Sequence, residues 1–180
     1  MTKWKLFTAA FLITTVAMTV VNYIDHRNSA TTRPKLTQIS NGVFITSQLH
    51  PDAITSLKRR GIRTVVDIRP DGEDAGQPSS TEIERAAKTK DVSFYYIPVP
   101  HENIPDTAVD ELSAAMNASR LPTVLYCRTG RRAVRLFALA EATRSDGPSA
   151  DSISLMVKKA GFSADDLRDA IAKRINSREK

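Results

Sequence analysis

Apolar and polar residues alternate in short blocks along most of the chain, and these blocks predict strands and helices. Two strands are predicted in LTQIS and VFITS, around Asn41-Gly42, a dipeptide typical of tight hairpins. Three more are predicted in the β-rich apolar runs IRTVVDI, VSFYYIPV and PTVLYC. Helix-like segments separate these runs. The alternation predicts an α/β sandwich with a central, mainly parallel sheet.

Capping residues and apolar periodicity predict the helices. The first begins at Pro51 and ends at Gly61, and the second runs from Ser80 to about Lys90. Asp106 is the predicted N-cap of a third helix, in TAVDELSAAMNAS. The fourth, in RAVRLFALAEATR, has a narrow apolar face. Two capped helices, in GPSADSISLMVKKAG and FSADDLRDAIAKRI, close the chain.

An uncharged apolar run lies near the start of the chain. It extends over 19 residues, from Leu6 to Ile24, with lysines before it and Arg27 after it. That length crosses the hydrocarbon core of a bilayer as a helix. A cleaved signal peptide is the alternative, but Arg27 occupies a position where the cleavage site needs a small residue. We expect a transmembrane anchor over 1–25, a polar tether over 26–35 and one folded domain over 36–180.

Positive charge is concentrated before that domain. The chain has 26 Lys and Arg against 20 Asp and Glu, and residues 1–35 contain five against one, which leaves 21 against 19 in the domain. Because the domain is almost neutral and poor in aromatic residues, we do not expect it to bind nucleic acid. Lys3 and Lys5 favour a cytoplasmic amino terminus, which places the domain outside the cytoplasm.

The single cysteine and the scattered histidines restrict the chemistry. Cys127 has no partner for an internal disulfide, and His26, His50 and His101 lack the spacing of metal ligands, so we expect neither a metal nor a cofactor. Cys127 ends the last predicted strand. In open α/β sheets the carboxyl ends of strands are where ligands bind.

The turn after Cys127 predicts an anion-binding loop. It leads directly into a helix, so backbone N–H groups and the positive helix end converge beside the sulfur, favouring a thiolate nucleophile. A forked guanidinium matches the geometry of an oxyanion, and Arg132 closes the turn. The alternative is that Cys127 only completes a buried strand. The predicted anion-binding residues are Arg128, Thr129, Gly130, Arg131 and Arg132.

The domain resembles the bacterial beta-lactamase hydrolase-like, phosphatase-like domain, which is related to tyrosine and dual-specificity phosphatases. The resemblance covers about Leu36 to Arg174 and rests on four motifs, of which VLYCRTGRR contains the predicted site. It implies a three-layer phosphatase-like sandwich, with Cys127 as nucleophile and Arg132 as the last residue of the anion-binding loop. With the predicted anchor, we expect a single-pass protein of the bacterial inner membrane with its domain in the periplasm, or a secreted domain if the segment is a cleaved signal.

The loop departs from the phosphatase pattern in its length. Phosphatases place five residues between the cysteine and the arginine, whereas four separate Cys127 from Arg132, and Ala133 occupies the usual arginine position. Tyr126 also replaces the usual histidine. The segment CRTGRR matches the six-residue loop of rhodanese-type sulfurtransferases. The expected substrate is therefore a phosphomonoester, with a sulfane-sulfur compound as the alternative, and an inactive anion-binding adaptor is a third interpretation.

A phosphatase also needs an acid that protonates the leaving oxygen. The segment VPHENIPD offers Glu102 as the first candidate and His101 as the second, because Asp106 is interpreted as a helix cap. Asp71 and Glu73 in RPDGED are further candidates, although a Pro-Asp-Gly turn uses such residues for its own geometry. A sulfurtransferase would need no such acid.

Overall fold

The computed structural model describes residues 33–178 and contains one five-stranded sheet. The strand order across the sheet is β1-β2-β5-β3-β4. Only β1 is antiparallel to its neighbour, so the sheet is mixed and its other four strands are parallel. The α/β fold with a central sheet is confirmed. The strands are β1 (Thr37–Ser40), β2 (Val43–Thr46), β3 (Thr64–Asp67), β4 (Ser93–Tyr96) and β5 (Thr123–Tyr126).

The predicted hairpin joins β1 and β2 through Asn41-Gly42. Gly42 has a φ of +71°, which lets the chain reverse direction within two residues. Its carbonyl also accepts a hydrogen bond of 2.8 Å from the backbone N–H of Thr123. The turn therefore fixes the register in which β2 pairs with β5, the strand that leads to Cys127.

Helices cover both faces of the sheet. Val65 and Val124 contact the apolar residues of α1 and α2 on one face, whereas Val66 and Leu125 contact the helices on the other. This division follows from the period of two in a strand, which sends successive side chains to opposite faces. The helices are α1 (Ala53–Arg59), α2 (Ser80–Thr89), α3 (Asp106–Ala118), α4 (Arg131–Thr143), α5 (Ala150–Lys159) and α6 (Arg168–Ser177).

Helix α4 is buried over most of its circumference, so the prediction of a narrow apolar face was wrong. Ten of its 13 residues are buried, including the polar residues Arg132 and Glu141. The helix packs against α3, α5 and α6 as well as the sheet. The buried Glu141 carboxylate accepts hydrogen bonds of 3.1 and 3.0 Å from Arg144. Side chains on several sides of α4 are thus held in place, and this helix carries Arg132.

Helix α2 begins at Ser80, as predicted. Its cap is Ser79, whose hydroxyl accepts from the N–H of Glu82 while the Glu82 carboxylate accepts from the N–H of Ser79. Two other predicted helix starts differ from the structure. Asp106 is the first residue of α3 rather than its cap, and Pro105 occupies the N-cap. The last predicted helix divides into a 3₁₀ turn, Asp165–Leu167, followed by α6.

Within residues 33–178 no helix is long and apolar enough to cross a membrane. The segment in which we predict an anchor, residues 1–25, lies outside the described residues, so the anchor remains a prediction.

Candidate functional site

The connection between β5 and α4 places Cys127 at the carboxyl edge of the sheet. Its side chain is buried, and its Sγ accepts a hydrogen bond of 3.2 Å from the backbone N–H of Gly130. The four residues from Cys127 to Gly130 form the whole loop, because α4 begins at Arg131. Arg132, which we predicted to close the loop, therefore lies in the first turn of α4. The sulfur faces the amino end of a well-buried helix, where partial positive charge favours an anion.

Gly130 is required at its position for two reasons. Its φ of +88° is in the left-handed region, which residues other than glycine rarely adopt. A Cβ atom there would also lie 2.9 Å from Cγ2 of Ile45 and 3.4 Å from the carbonyl oxygen of Thr46. The loop is thus pressed against the end of β2, and this close approach aims the Gly130 N–H at the sulfur.

The guanidinium of Arg132 is held by two groups from other loops. Its Nη1 donates to Oε1 of Glu73 at 2.6 Å and to the carbonyl oxygen of Val99 at 2.7 Å, and its Nη2 donates to Oε2 of Glu73 at 2.7 Å. The side chain is only 8% exposed. An arginine has five N–H donors, so these three bonds leave two of them for an anion.

Glu73 bridges Arg132 and a second buried arginine, Arg69. The Nε of Arg69 donates to Oε2 of Glu73 at 2.8 Å, and its Nη1 donates to the amide oxygen of Gln48 at 2.7 Å. Hydrogen bonds from Arg132 and, after it, from Arg69 lower the pKa of Glu73 to about 2, against the opposing effect of burial. The carboxylate is therefore ionised at neutral pH, and this excludes Glu73 as the acid of a phosphatase.

Two arginines of the predicted loop lie at its exposed side. Arg128 has an exposed guanidinium whose Nε is 3.6 Å from Oδ2 of Asp74, a carboxylate that also pairs with Arg69. Its carbonyl oxygen accepts from the N–H of Gln48 at 3.3 Å, which joins the loop to the segment after β2. Arg131 and Thr129 are exposed. The exposed side of the loop therefore carries two arginines, of which Arg128 is near a carboxylate.

Apart from Glu73, one of the predicted acids contacts the site. Nε2 of His101 lies 3.6 Å from Oε1 of Glu73, on the side chain that also binds Arg132. Glu102 is exposed and forms no hydrogen bond with another described residue. Asp106 pairs with Arg174 away from the loop. Asp71 accepts from the N–H and the hydroxyl of Ser80 at 2.7 Å each, so it holds the start of α2.

A buried carboxyl lies behind the loop. Asp67 is opposite Tyr126 in the register of β3 and β5, and its Oδ1 accepts from the N–H of Arg69 at 2.9 Å. The Tyr126 hydroxyl faces this carboxyl without reaching good hydrogen-bond geometry. Burial raises the pKa of Asp67 to about 6, and it also raises the pKa of Tyr126. The tyrosine that replaces a histidine before Cys127 therefore points at the Asp67 side chain rather than at the sulfur.

Sequence reasoning missed the partners that hold Arg132 and the loop. Glu73 was considered only as an acid, and Gln48 and Arg69 were not considered. A signal was present, since these residues follow β2 and β3, the two neighbours of β5. The carboxyl ends of parallel strands meet at one edge, so polar side chains just after them converge.

Comparisons with known proteins agree with this architecture. The family model described as "Beta-lactamase hydrolase-like protein, phosphatase-like domain" matches residues 35–144. Beta-lactamase hydrolase-like proteins of Xylella fastidiosa (strain Temecula1) and Agrobacterium fabrum are 28% and 30% identical to the chain over 107 and 108 residues. The matched segments are 59% and 60% of this chain and 25% of each relative, so the chain spans about a quarter of their length.

Solved structures share the fold at low sequence identity. A Neisseria meningitidis protein aligns with a TM-score of 0.66 and 24% identity, over 77% of this chain and 96% of that one. The core catalytic domain of the PP-IP phosphatase Siw14 from S. cerevisiae aligns with a TM-score of 0.56 and 16% identity, over 80% and 91%. Human DUSP28 aligns with a TM-score of 0.58 and 18% identity, over 82% and 97%. The fold is phosphatase-like.

Proposed function

Because the chain belongs to the family of beta-lactamase hydrolase-like, phosphatase-like domains, we propose that it is a cysteine-dependent phosphatase that hydrolyses phosphomonoesters of a protein or a small molecule. One observation carries the proposal: the Cys127 sulfur accepts from the Gly130 N–H at the amino end of a buried helix, and Arg132 lies in the first turn of that helix. This combination provides a nucleophile and an anion site in one short segment.

The first chemical step would be attack by the Cys127 thiolate on phosphorus. The sulfur forms an S–P bond while the ester P–O bond breaks, and the electron pair of that bond leaves with the alcohol oxygen. The loop N–H groups and the two remaining N–H donors of Arg132 are suited to stabilise the phosphoryl oxygens. Water would then hydrolyse the phosphocysteine, releasing phosphate and restoring the thiol.

We propose His101 as the acid that protonates the leaving oxygen. Among the candidates other than Glu73 itself, His101 is the one that contacts Glu73, the carboxylate that binds Arg132. Its exposed imidazole lies where a substrate could approach, and an imidazole is suited to proton transfer near neutral pH. Glu102, the first candidate from the sequence, lacks such a contact and becomes the second.

A sulfurtransferase that uses a Cys127 persulfide is the second candidate function. It is favoured by the short loop, since α4 begins four residues after Cys127 and Arg132 is tied back to Glu73. A persulfide adds one sulfur to Cys127 and needs less space than a phosphoryl group. In this reaction the Cys127 thiolate would take the outer sulfur of a thiosulfate, release sulfite and pass the sulfur to an acceptor such as cyanide.

One pair of assays separates these functions. Residues 31–180 and the Cys127→Ser variant are tested for aryl-phosphate hydrolysis and for sulfur transfer from thiosulfate to cyanide. A phosphatase releases phosphate only with Cys127 present, whereas a sulfurtransferase forms thiocyanate and shows a persulfide mass increment on Cys127. The activity of the Arg132→Lys variant is compared with that of Arg168→Lys, a matched control at an exposed position of α6. Oxyanion binding without either activity would instead support an adaptor.

A further inference from the structure

A group of arginines lies on the domain away from Cys127. Arg59 is the last residue of α1, Arg60 follows it, and Arg63 precedes β3. Arg33 lines a cleft of about 410 Å³ together with Arg59 and Arg60. We name these four residues the basal arginine surface, because their position in the fold is opposite to the loop that contains the cysteine.

Topology fixes that position. Helix α1 connects the carboxyl end of β2 to the amino end of the parallel strand β3, so its last residues lie at the amino ends of the strands. The N–H of Arg63 donates at 2.8 Å to the carbonyl oxygen of Pro122, which directly precedes β5. Cys127 directly follows β5. The length of that strand therefore separates the basal arginine surface from the sulfur.

Charge on the basal arginine surface is not balanced within the described part of the chain. Arg33, Arg59 and Arg63 are exposed and form no ion pair with another residue of 33–178. Arg60 donates to the carbonyl oxygen of Pro34 at 2.7 Å, which orders the side chain without cancelling its charge. The buried arginines of the candidate site, in contrast, are paired with carboxylates. This surface is therefore available to an external anion.

The sequence around these arginines also has an excess of positive charge. Between residues 33 and 63 the chain has six Lys or Arg and one acid, Asp52. Asp52 precedes the first residue of α1, at the opposite end of that helix from Arg59. Lys58, the one basic residue of the helix end with an ion pair, is 3.2 Å from Asp91. The excess of positive charge thus belongs to the four arginines and to Lys35.

We propose that the basal arginine surface docks onto anionic phospholipid headgroups of the membrane that holds the predicted anchor. The apolar run ends at Ile24, and eight residues, 25–32, separate it from Arg33. Eight extended residues reach at most about 27 Å, so the arginines cannot lie far from a bilayer that contains the run. Basic residues next to a membrane segment are attracted to anionic lipid, and each arginine strengthens that attraction.

Docking would orient the candidate site. With the amino ends of the strands on the bilayer, the loop of Cys127 at their carboxyl ends faces the aqueous phase. The domain would then take a water-soluble substrate rather than a lipid in the same membrane. This orientation does not depend on whether the sulfur attacks phosphorus or sulfur, so it is independent of the proposed function.

Energy transfer to the bilayer tests the docking in the full chain. A donor fluorophore is attached at Thr55→Cys, an exposed position of α1, in the Cys127→Ser background, and the acceptor is a labelled lipid. The chain is placed in nanodiscs of phosphatidylcholine alone or of an equal mixture with phosphatidylglycerol. Because the tether keeps the domain near either bilayer, we expect transfer in both, with a higher efficiency in the anionic nanodiscs and the loss of this excess at high salt.

Charge variants identify the surface. Arg59→Glu with Arg63→Glu is expected to lower the ratio of docked to undocked domains about 30-fold or more, whereas the same positions changed to lysine keep docking. Lys158→Glu with Lys159→Glu, which changes the net charge equally on exposed positions of α5, should leave docking intact. Equal transfer in both lipids, insensitivity to Arg59 and Arg63, or failure of the chain to enter nanodiscs would each overturn the proposal. Docking to an added acidic protein or RNA without lipid dependence would do so as well.

Discussion

Replacing Glu73 with glutamine tests how the candidate site is held together. The carboxylate accepts three hydrogen bonds of 2.6 to 2.8 Å from Arg132 and Arg69. Glutamine has nearly the same size, but it has no charge and turns an N–H group toward guanidinium donors. The pKa of Glu73 falls from 4.5 to about 2, and each unit corresponds to about 1.4 kcal/mol. The full shift would stabilise the fold by about 3 kcal/mol, and partial exposure to solvent reduces this to about 2 kcal/mol.

The expected loss depends on pH in a defined direction. Because the folded pKa of Glu73 is below the unfolded one, its contribution is complete above pH 4.5 and declines as the pH falls toward 2. At pH 7 we expect Glu73→Gln to lower the melting temperature of residues 31–180 by about 4–8 °C. At pH 3 the difference from the original chain should be less than half as large. Thermal unfolding followed by circular dichroism at both pH values measures this.

A matched control separates the bridge from a general effect of removing charge. Glu84 is an exposed residue of α2 that forms no hydrogen bond through its side chain within the described residues, and Glu84→Gln should leave the melting temperature unchanged. Aryl-phosphate hydrolysis should also fall about tenfold or more in Glu73→Gln, since Arg132 loses its orientation. The predicted role of Glu73 is refuted if Glu73→Gln has the melting temperature of the original chain at pH 7, or if the difference between their melting temperatures is the same at pH 3.

Three further changes test single features of the site. Gly130→Ala should lower the free energy of unfolding by about 2 kcal/mol or more. The control Gly61→Ala, at a position with a positive φ but open space for a Cβ atom, should lower it by about 1 kcal/mol. Equal losses in urea titrations would contradict the contact with Ile45. Between pH 4 and pH 8, the free energy of unfolding of Asp67→Asn should rise by about 2–3 kcal/mol relative to that of the original chain, because ionisation of a carboxyl with a pKa raised to about 6 destabilises the fold. A pH-independent difference in urea titrations would contradict this. Arg132→Lys should reduce kcat/KM for an aryl phosphate about 100-fold, since lysine cannot form the forked contact, and an unchanged value would exclude Arg132 from the reaction.

The sequence by itself determined the order of elements and the position of the thiol. Most of the strands lie in apolar runs, Asn41-Gly42 marks the turn between the first two, and a capping box marks the start of α2. These are preferences of neighbouring residues, so they are legible without the fold. The segment of strand, cysteine, glycine turn and helix around Cys127 is equally local, and it predicted that the thiol ends a strand and precedes a helix.

Only the tertiary structure decided which side chains complete the site. Glu73 is 59 positions from Arg132 in the chain, and the sequence ranked Glu102 and His101 ahead of it as acids near the loop. The parallel strands β2, β5, β3 and β4 end at one edge, so the segments after them meet there. The folding of those segments then brings Glu73 and His101 into contact, whereas Glu102 is exposed and Asp106 pairs with Arg174. Periodicity likewise describes one face of a helix but not how many neighbours surround it, which is why the burial of α4 was underestimated. Pairing and burial depend on distances between segments remote in sequence, and those distances exist only once the chain has folded.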